Sequence, residues 1–144
     1  MRIALVLILL ISINSYARKP AQYEQQLVIV TKALKNKPKK EKLKIMKEFL
    51  GWMEVNNAEQ MQLYIESDVS DALKEKIYEN RIIYFNLKPL NDIFLTQNKI
   101  PNSKECKKII SDVKYSDRIR NTKEVSNLSP RAKQIISLLS NFCG

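Results

Sequence analysis

The chain has 144 residues, with 25 Lys and Arg against 15 Asp and Glu, a formal net charge of +10 and no histidine. The missing histidine removes the commonest general base and the commonest metal ligand. The only glycines are Gly51 and Gly144, which leaves no phosphate-cradling loop and favours helices over tight hairpins.

Residues 2–17 read as an export signal. Arg2 precedes an unbroken apolar run from Ile3 to Ile11, and Ser15-Tyr16-Ala17 supplies a small-x-small exit. The run is about half the ~20 residues that would span a bilayer, and it lacks the polar face of an amphipathic core helix. Cleavage is expected after Ala17, with no Cys there to take a lipid anchor. The remainder, 18–144, is expected to be one helical domain in a secreted or periplasmic setting.

Within it, Tyr23, Leu27, Val30 and Leu34 recur at helical steps and predict a first helix over 21–35. Pro38 suits the first turn of a second helix, whose stripe is Leu43, Met46, Phe49, Leu50 and Met53. Its end is expected at Gly51 or at Asn56-Asn57. Residues 58–66 fit a helix or a short strand. Ser67-Asp68 and Ser70-Asp71 offer cap oxygens to a helix reaching about Phe85, with Leu73, Ile77 and Tyr84 inward. Its tail, residues 81–85, is β-prone, and Pro89 is expected to break it. Residues 90–95 read as a short apolar turn or helix, and 99–102 as a loop around Pro101.

Ser103 is a candidate cap for a helix with Cys106, Ile109, Ile110 and Val113 on one face. Residues 115–128 read as polar loop. Ser129 caps a last helix, with Pro130 at its first position and Ala132, Ile135, Ile136, Leu139 and Cys143 in phase. An even pair of cysteines in an oxidising space predicts a disulfide. Both lie on apolar faces, so Cys106–Cys143 should pin the last two helices together. The expected fold is all-α, an irregular helical bundle or short helical solenoid of four to six helices with one disulfide.

The charge is uneven. Lys35, Lys37, Lys39, Lys40, Lys42 and Lys44 crowd ten residues with only Glu41 opposing, whereas residues 51–98 are net acidic. Lysines at a helix start oppose its dipole and do not help the helix form. They point to an anionic partner, either an envelope polymer or an acidic lipid surface, or else to a solvated connector. The run has neither Arg for bidentate contacts nor an aromatic residue for stacking, which disfavours nucleic acid. Residues 39–53, with Phe49, Trp52 and Met53 past the lysines, could lie on a membrane surface or be core. Tyr64, Tyr78, Tyr84, Phe85 and Phe94 exceed what the core needs, and exposed together they would mark a protein-partner surface.

An active site is less well signalled. Ser111-x-x-Lys114 has the spacing of penicillin-recognising enzymes without the companion motifs. Glu54, Glu59, Glu66, Asp68, Asp71, Glu75 and Glu79 could supply a carboxylate pair for a glycosidase-like envelope hydrolase. Calcium and zinc ligand patterns are missing, and no cofactor is implied. The leading expectation is therefore an exported, non-enzymatic binding or interaction protein.

Overall fold

The computed structural model describes residues 22–66, 68–120 and 127–144; the expected signal, 1–17, lies outside them. Among the described residues there are five helices and no strand: α1 (Tyr23–Leu34), α2 (Lys39–Ile65), α3 (Asp71–Gln97), α4 (Ser103–Arg120) and α5 (Pro130–Cys143). The all-α expectation holds, and the arrangement is an irregular bundle.

Side-chain contacts fix the helix directions. Glu54 meets Asn91 and Gln60 meets Asn80, so α2 and α3 run antiparallel. The start of α4 is joined to the end of α5, and Asp117 near the end of α4 accepts from Ser129 at the start of α5. Glu24 and Arg131 pair near the starts of α1 and α5, which therefore run parallel. One end of the bundle thus collects the ends of α1, α3 and α5 and the starts of α2 and α4.

The predicted stripes of the first, second and last helices are core, whereas Leu73, expected inward, is only half-buried and outside it. Tyr23, Leu27, Val30 and Leu34 of α1 pack with Met46, Phe49, Leu50 and Met53 of α2 and with Ala132, Ile135, Leu138 and Leu139 of α5. Phe49 and Trp52 stack with ring centres 6.1 Å apart, and Phe94 meets Phe142 edge-on at 5.7 Å. Phe49, Trp52 and Met53 are buried, so they are core and cannot form the apolar side of a membrane-surface helix.

Three local expectations are corrected. First, neither Gly51 nor Asn56-Asn57 ends α2, which continues through 58–66 as far as Ile65. Apolar contacts on both sides of Gly51 hold it helical, and a Cβ added there would meet nothing within 4 Å. Gly51→Ala should therefore raise stability by about 0.5–1 kcal/mol in urea unfolding, since it removes backbone freedom from the unfolded chain without a clash.

Second, α3 passes through both the β-prone tail and Pro89 to Gln97. Proline removes the hydrogen bond to the carbonyl four residues back, that of Phe85. Phe85 and Pro89 both lie on the outer side, where water can take over that role, while Leu87, Leu90 and Phe94 are buried on the other. Packing on the inner face outweighs the local penalty of about 3 kcal/mol. Asn98 then ends the helix at φ 47°, a left-handed conformation that Asn tolerates.

Third, Asn102 caps α4. Its Oδ1 accepts from the Glu105 amide at 2.9 Å while its own amide donates to Glu105 Oε2 at 2.7 Å, a reciprocal box that leaves Ser103 as the first helical residue. The helix also runs on to Arg120, through much of the expected loop; 121–126 lie outside the described residues. Ser70 and Ser129 do cap α3 and α5, each accepting at 3.2 Å from the amide three residues on.

Tyr23 carries a pH prediction. It is fully buried, its hydroxyl donates to the Met53 carbonyl at 3.3 Å, and burial, with smaller contributions from Tyr84 and Glu59, pushes its pKa well above the ordinary 10.0. The unfolded chain releases this proton near pH 10 while the folded chain keeps it. Stability from this group is complete below pH 10 and drains as pH rises above that. Wild type should therefore lose stability more steeply than Tyr23→Phe between about pH 10 and 11.5 in urea titrations; parallel curves would contradict this.

Candidate functional site

The expected disulfide is present. Cys106 and Cys143 are bonded, with Cα atoms 6.4 Å apart. Cys106 is buried and Cys143 half-buried, both on the core-facing sides of their helices.

The lysine run divides. Lys35, Lys37, Lys39, Lys40 and Lys44 are exposed, whereas Lys42 is turned inward with a residual exposure of 9%. Its Nζ donates to the carbonyls of Asn141 at 2.7 Å and Gly144 at 3.3 Å, closing the last turn of α5. Helix C-termini present unpaired carbonyls and partial negative charge, so an ammonium is well placed there. Lys42 is in phase with Met46, Phe49 and Met53, at steps of four, three and four. That periodicity marks it as the member of the run set apart.

What the linear sequence conceals is where the other lysines go. The end of the bundle that carries the start of α2 also receives the end of α1 and the start of α4. It gathers Lys32, Lys35, Lys37, Lys39, Lys40, Lys42, Lys44, Lys47, Lys99, Lys104, Lys107 and Lys108 against Glu41, Glu48, Asp92, Glu105 and Asp112. Contacts tie these stretches together: Lys42 reaches the end of α5, Cys143 there is bonded to Cys106 of α4, and Lys47 donates to Asn98 Oδ1 beside Lys99. Three helix C-termini and only two N-termini lie at this end, a balance that favours cations.

Ion pairing neutralises little of it. Among the described residues, Lys37 lies 3.9 Å from Glu41, Lys99 lies 3.7 Å from Glu105 and Lys108 lies 3.1 Å from Asp112, all at the surface. Pairs of that kind contribute little. Nearby, Asp92 accepts a hydrogen bond from Lys88 at 3.1 Å and raises its pKa, which makes a self-contained surface pair.

The opposite end is different. Glu54 and Glu59 on the second half of α2, Glu66 and Asp68 in the connection, and Asp71 and Glu75 at the start of α3 are exposed. Only Glu79 is half-buried, and it is engaged by Lys76 at 3.4 Å and Arg131 at 3.9 Å. Lys114, Arg118, Arg120, Arg131 and Lys133 offset these acids, leaving that end close to neutral. A hydrolase pair needs one carboxyl in an apolar pocket, and none of these seven occupies one. Ser111 and Lys114 are both exposed on α4.

No protein-family model matches the chain, and neither a curated protein nor a solved structure shows significant similarity to it. Its chemistry must therefore be read from this geometry.

The surplus aromatics separate too. Phe94 is buried and Tyr84 half-buried against the core, while Tyr64, Tyr78 and Phe85 are exposed. Tyr78 and Phe85 are two turns apart on α3. Lys74 lies over the Tyr64 ring at 5.9 Å and Arg81 over the Phe85 ring at 5.3 Å. The result is an interleaved cation–aromatic stripe rather than a continuous apolar patch.

One concave feature borders the lysine-rich end. A groove of about 200 Å³ between α1 and α5 is lined by Val28, Thr31, Lys32, Lys35, Gln134 and Ser137. No group of His, Cys, Asp and Glu suited to a metal ion occurs among the described residues.

Proposed function

We propose that this protein is an exported, non-enzymatic binding protein whose lysine-rich end engages an anionic component of the cell envelope. The observation that carries this reading is the convergence of lysines from two separate stretches of chain, 32–47 and 99–108, on one end of the bundle, all but Lys42 exposed and few of them ion-paired. A solvated connector would leave them scattered. Here a disulfide, the buried Lys42 and the Lys47–Asn98 contact hold the contributing elements together.

The disulfide supports an oxidising compartment, and no described helix is long and apolar enough to cross a membrane. Both agree with the export signal read in residues 2–17. The chemistry on offer is multivalent. Lysine ammoniums are mobile point charges that suit a repeating polyanion better than a single rigid anion.

The test compares binding to dextran sulfate by wild type, by Lys35/Lys37/Lys39/Lys40/Lys44→Gln and by a control with Lys74, Lys76, Lys114, Lys133 and Arg118 changed to Gln. Loss confined to the first variant is the expected result. Equal loss in both would reduce the effect to net charge and overturn the reading.

A further inference from the structure

The Cys106–Cys143 bridge joins two helix ends that the rest of the fold holds very unequally. On the α5 side, Leu138, Leu139 and Phe142 are buried in the core. Lys42 of α2 also donates to the carbonyls of Asn141 at 2.7 Å and Gly144 at 3.3 Å, on either side of Cys143. The end of α5 therefore keeps its place without the bridge. On the other side, α4 buries only Ile109 and Val113 besides Cys106 itself. Just before it, Pro101 is buried and Ile100 packs on the core. The far end of α4 is tied separately, where Asp117 accepts from the Ser129 amide at 2.8 Å. Cutting the bridge thus frees the start of α4 and leaves α5 fixed. That start carries Lys104, Lys107 and Lys108, all exposed.

The two cysteines also differ in what an incoming thiol meets. Cys106 is 4% exposed, whereas Cys143 is half-buried at the last helical position of α5, beside the exposed Gly144. A thiolate from solvent therefore reaches Cys143 first. Attack there forms a mixed disulfide with Cys143 and expels Cys106 as a thiolate, which takes up a proton. The expelled charge appears in the first turn of α4 between Lys104 and Lys107, with Glu105 opposing. The positive end of the helix and the two lysines favour an anion there. The second thiol of a dithiol reductant then attacks the mixed disulfide and releases Cys143 as a thiol. The reductant leaves as a disulfide, and two electrons and two protons have passed to the protein.

We infer that Cys106–Cys143 is a redox gate on the lysine-rich end. Oxidised, it holds Lys104, Lys107 and Lys108 beside the lysines of 32–47. Reduced by a dithiol, it lets the start of α4 swing out and divides the cluster. This rests on the function proposed above and adds its regulation. Affinity for the full cluster then falls with the fraction of molecules in which α4 stays docked. The floor is the affinity left without Lys104, Lys107 and Lys108.

The test measures dextran sulfate binding at low salt by wild type and by Lys104/Lys107/Lys108→Gln, each oxidised and after dithiothreitol without denaturant. Reduction should weaken binding by wild type about tenfold. The oxidised variant should bind as weakly as reduced wild type. Reducing the variant should change its affinity by no more than about twofold, because the lysines that α4 would carry away are already neutral. Circular dichroism should show the helix content of reduced wild type largely retained, with hydrogen exchange quickened at the start of α4. Cys106→Ser/Cys143→Ser should bind like reduced wild type with or without dithiothreitol.

The gate is overturned if reduced wild type binds like the oxidised form, or if reduction weakens the variant as much as wild type. It is overturned equally if free thiols appear only when the whole bundle unfolds. Binding by oxidised wild type alongside any of these results leaves the proposed function standing. Failure of oxidised wild type to bind removes the function and the gate together.

Discussion

Reducing the Cys106–Cys143 bridge should lower the unfolding free energy by about 4 kcal/mol. The bonded residues are 37 apart in sequence, and the chain-entropy relation for a closed loop of that length gives this figure. Against a typical domain stability of about 5–15 kcal/mol, the loss is large. It should also be unevenly distributed, because α4 buries only Cys106, Ile109 and Val113. Its other ties include the bonds from Ser129 to Asp117 and the packing of Ile110, and of Ile100 just before the helix, on the core. Without the bridge, α4 should open before the rest of the bundle. Urea unfolding with and without reductant, and of Cys106→Ser/Cys143→Ser, measures the first effect; hydrogen exchange in the reduced protein, fastest in 103–120, measures the second. A loss below about 1 kcal/mol with uniform exchange would show that α4 is held by packing alone. The two effects meet at the lysine-rich end, since opening α4 carries Lys104, Lys107 and Lys108 away from it.

Replacing Lys35, Lys37, Lys39, Lys40 and Lys44 together by Gln should weaken binding to a polyanion about a hundredfold or more at low salt. Each lysine beside a dense anionic surface contributes up to about 1 kcal/mol, so five set an upper limit of about 5 kcal/mol. Solvent exposure and the lysines that remain lower the expected figure. The salt dependence should become shallower as well, because fewer counterions are released on binding. Stability should move by less than about 1 kcal/mol, since all five side chains are exposed. Lys42 is left in place because its ammonium holds the last turn of α5; substituting it would confuse lost binding with a damaged fold. Unchanged affinity and salt slope would show that the run is only solvated surface.

The parts of this structure legible in the sequence are those where local pattern and tertiary packing agree. The steps Tyr23–Leu27–Val30–Leu34 and Ala132–Ile135–Leu139 each mark a face that is buried, and the in-phase cysteines mark the bridge. Misreadings fall where a single residue's preference opposes packing on both sides of it. Gly51 and Pro89 read as stops, but each sits on the exposed side of a long helix whose opposite side is anchored. At the start of α4, Ser103 and Asn102 are both good caps. Glu105, three residues after Asn102, decides between them through the reciprocal hydrogen bonds. The candidate site was legible only in part. The run 35–44 is plain, but its union with Lys47, Lys99 and Lys104–Lys108 depends on helix directions that no local pattern encodes. Nor does periodicity place Gln134 and Ser137 opposite Lys32 and Lys35, because that juxtaposition needs the parallel packing of α1 on α5.

Backbone amide shifts on titration with dextran sulfate test most directly whether the lysine-rich end is the surface that meets the anion. Saturable changes should concentrate in residues 31–47 and 98–108 and be weak in 56–80. Changes spread evenly over all exposed lysines and arginines, or centred on Lys74, Arg81 and the start of α3, would contradict it.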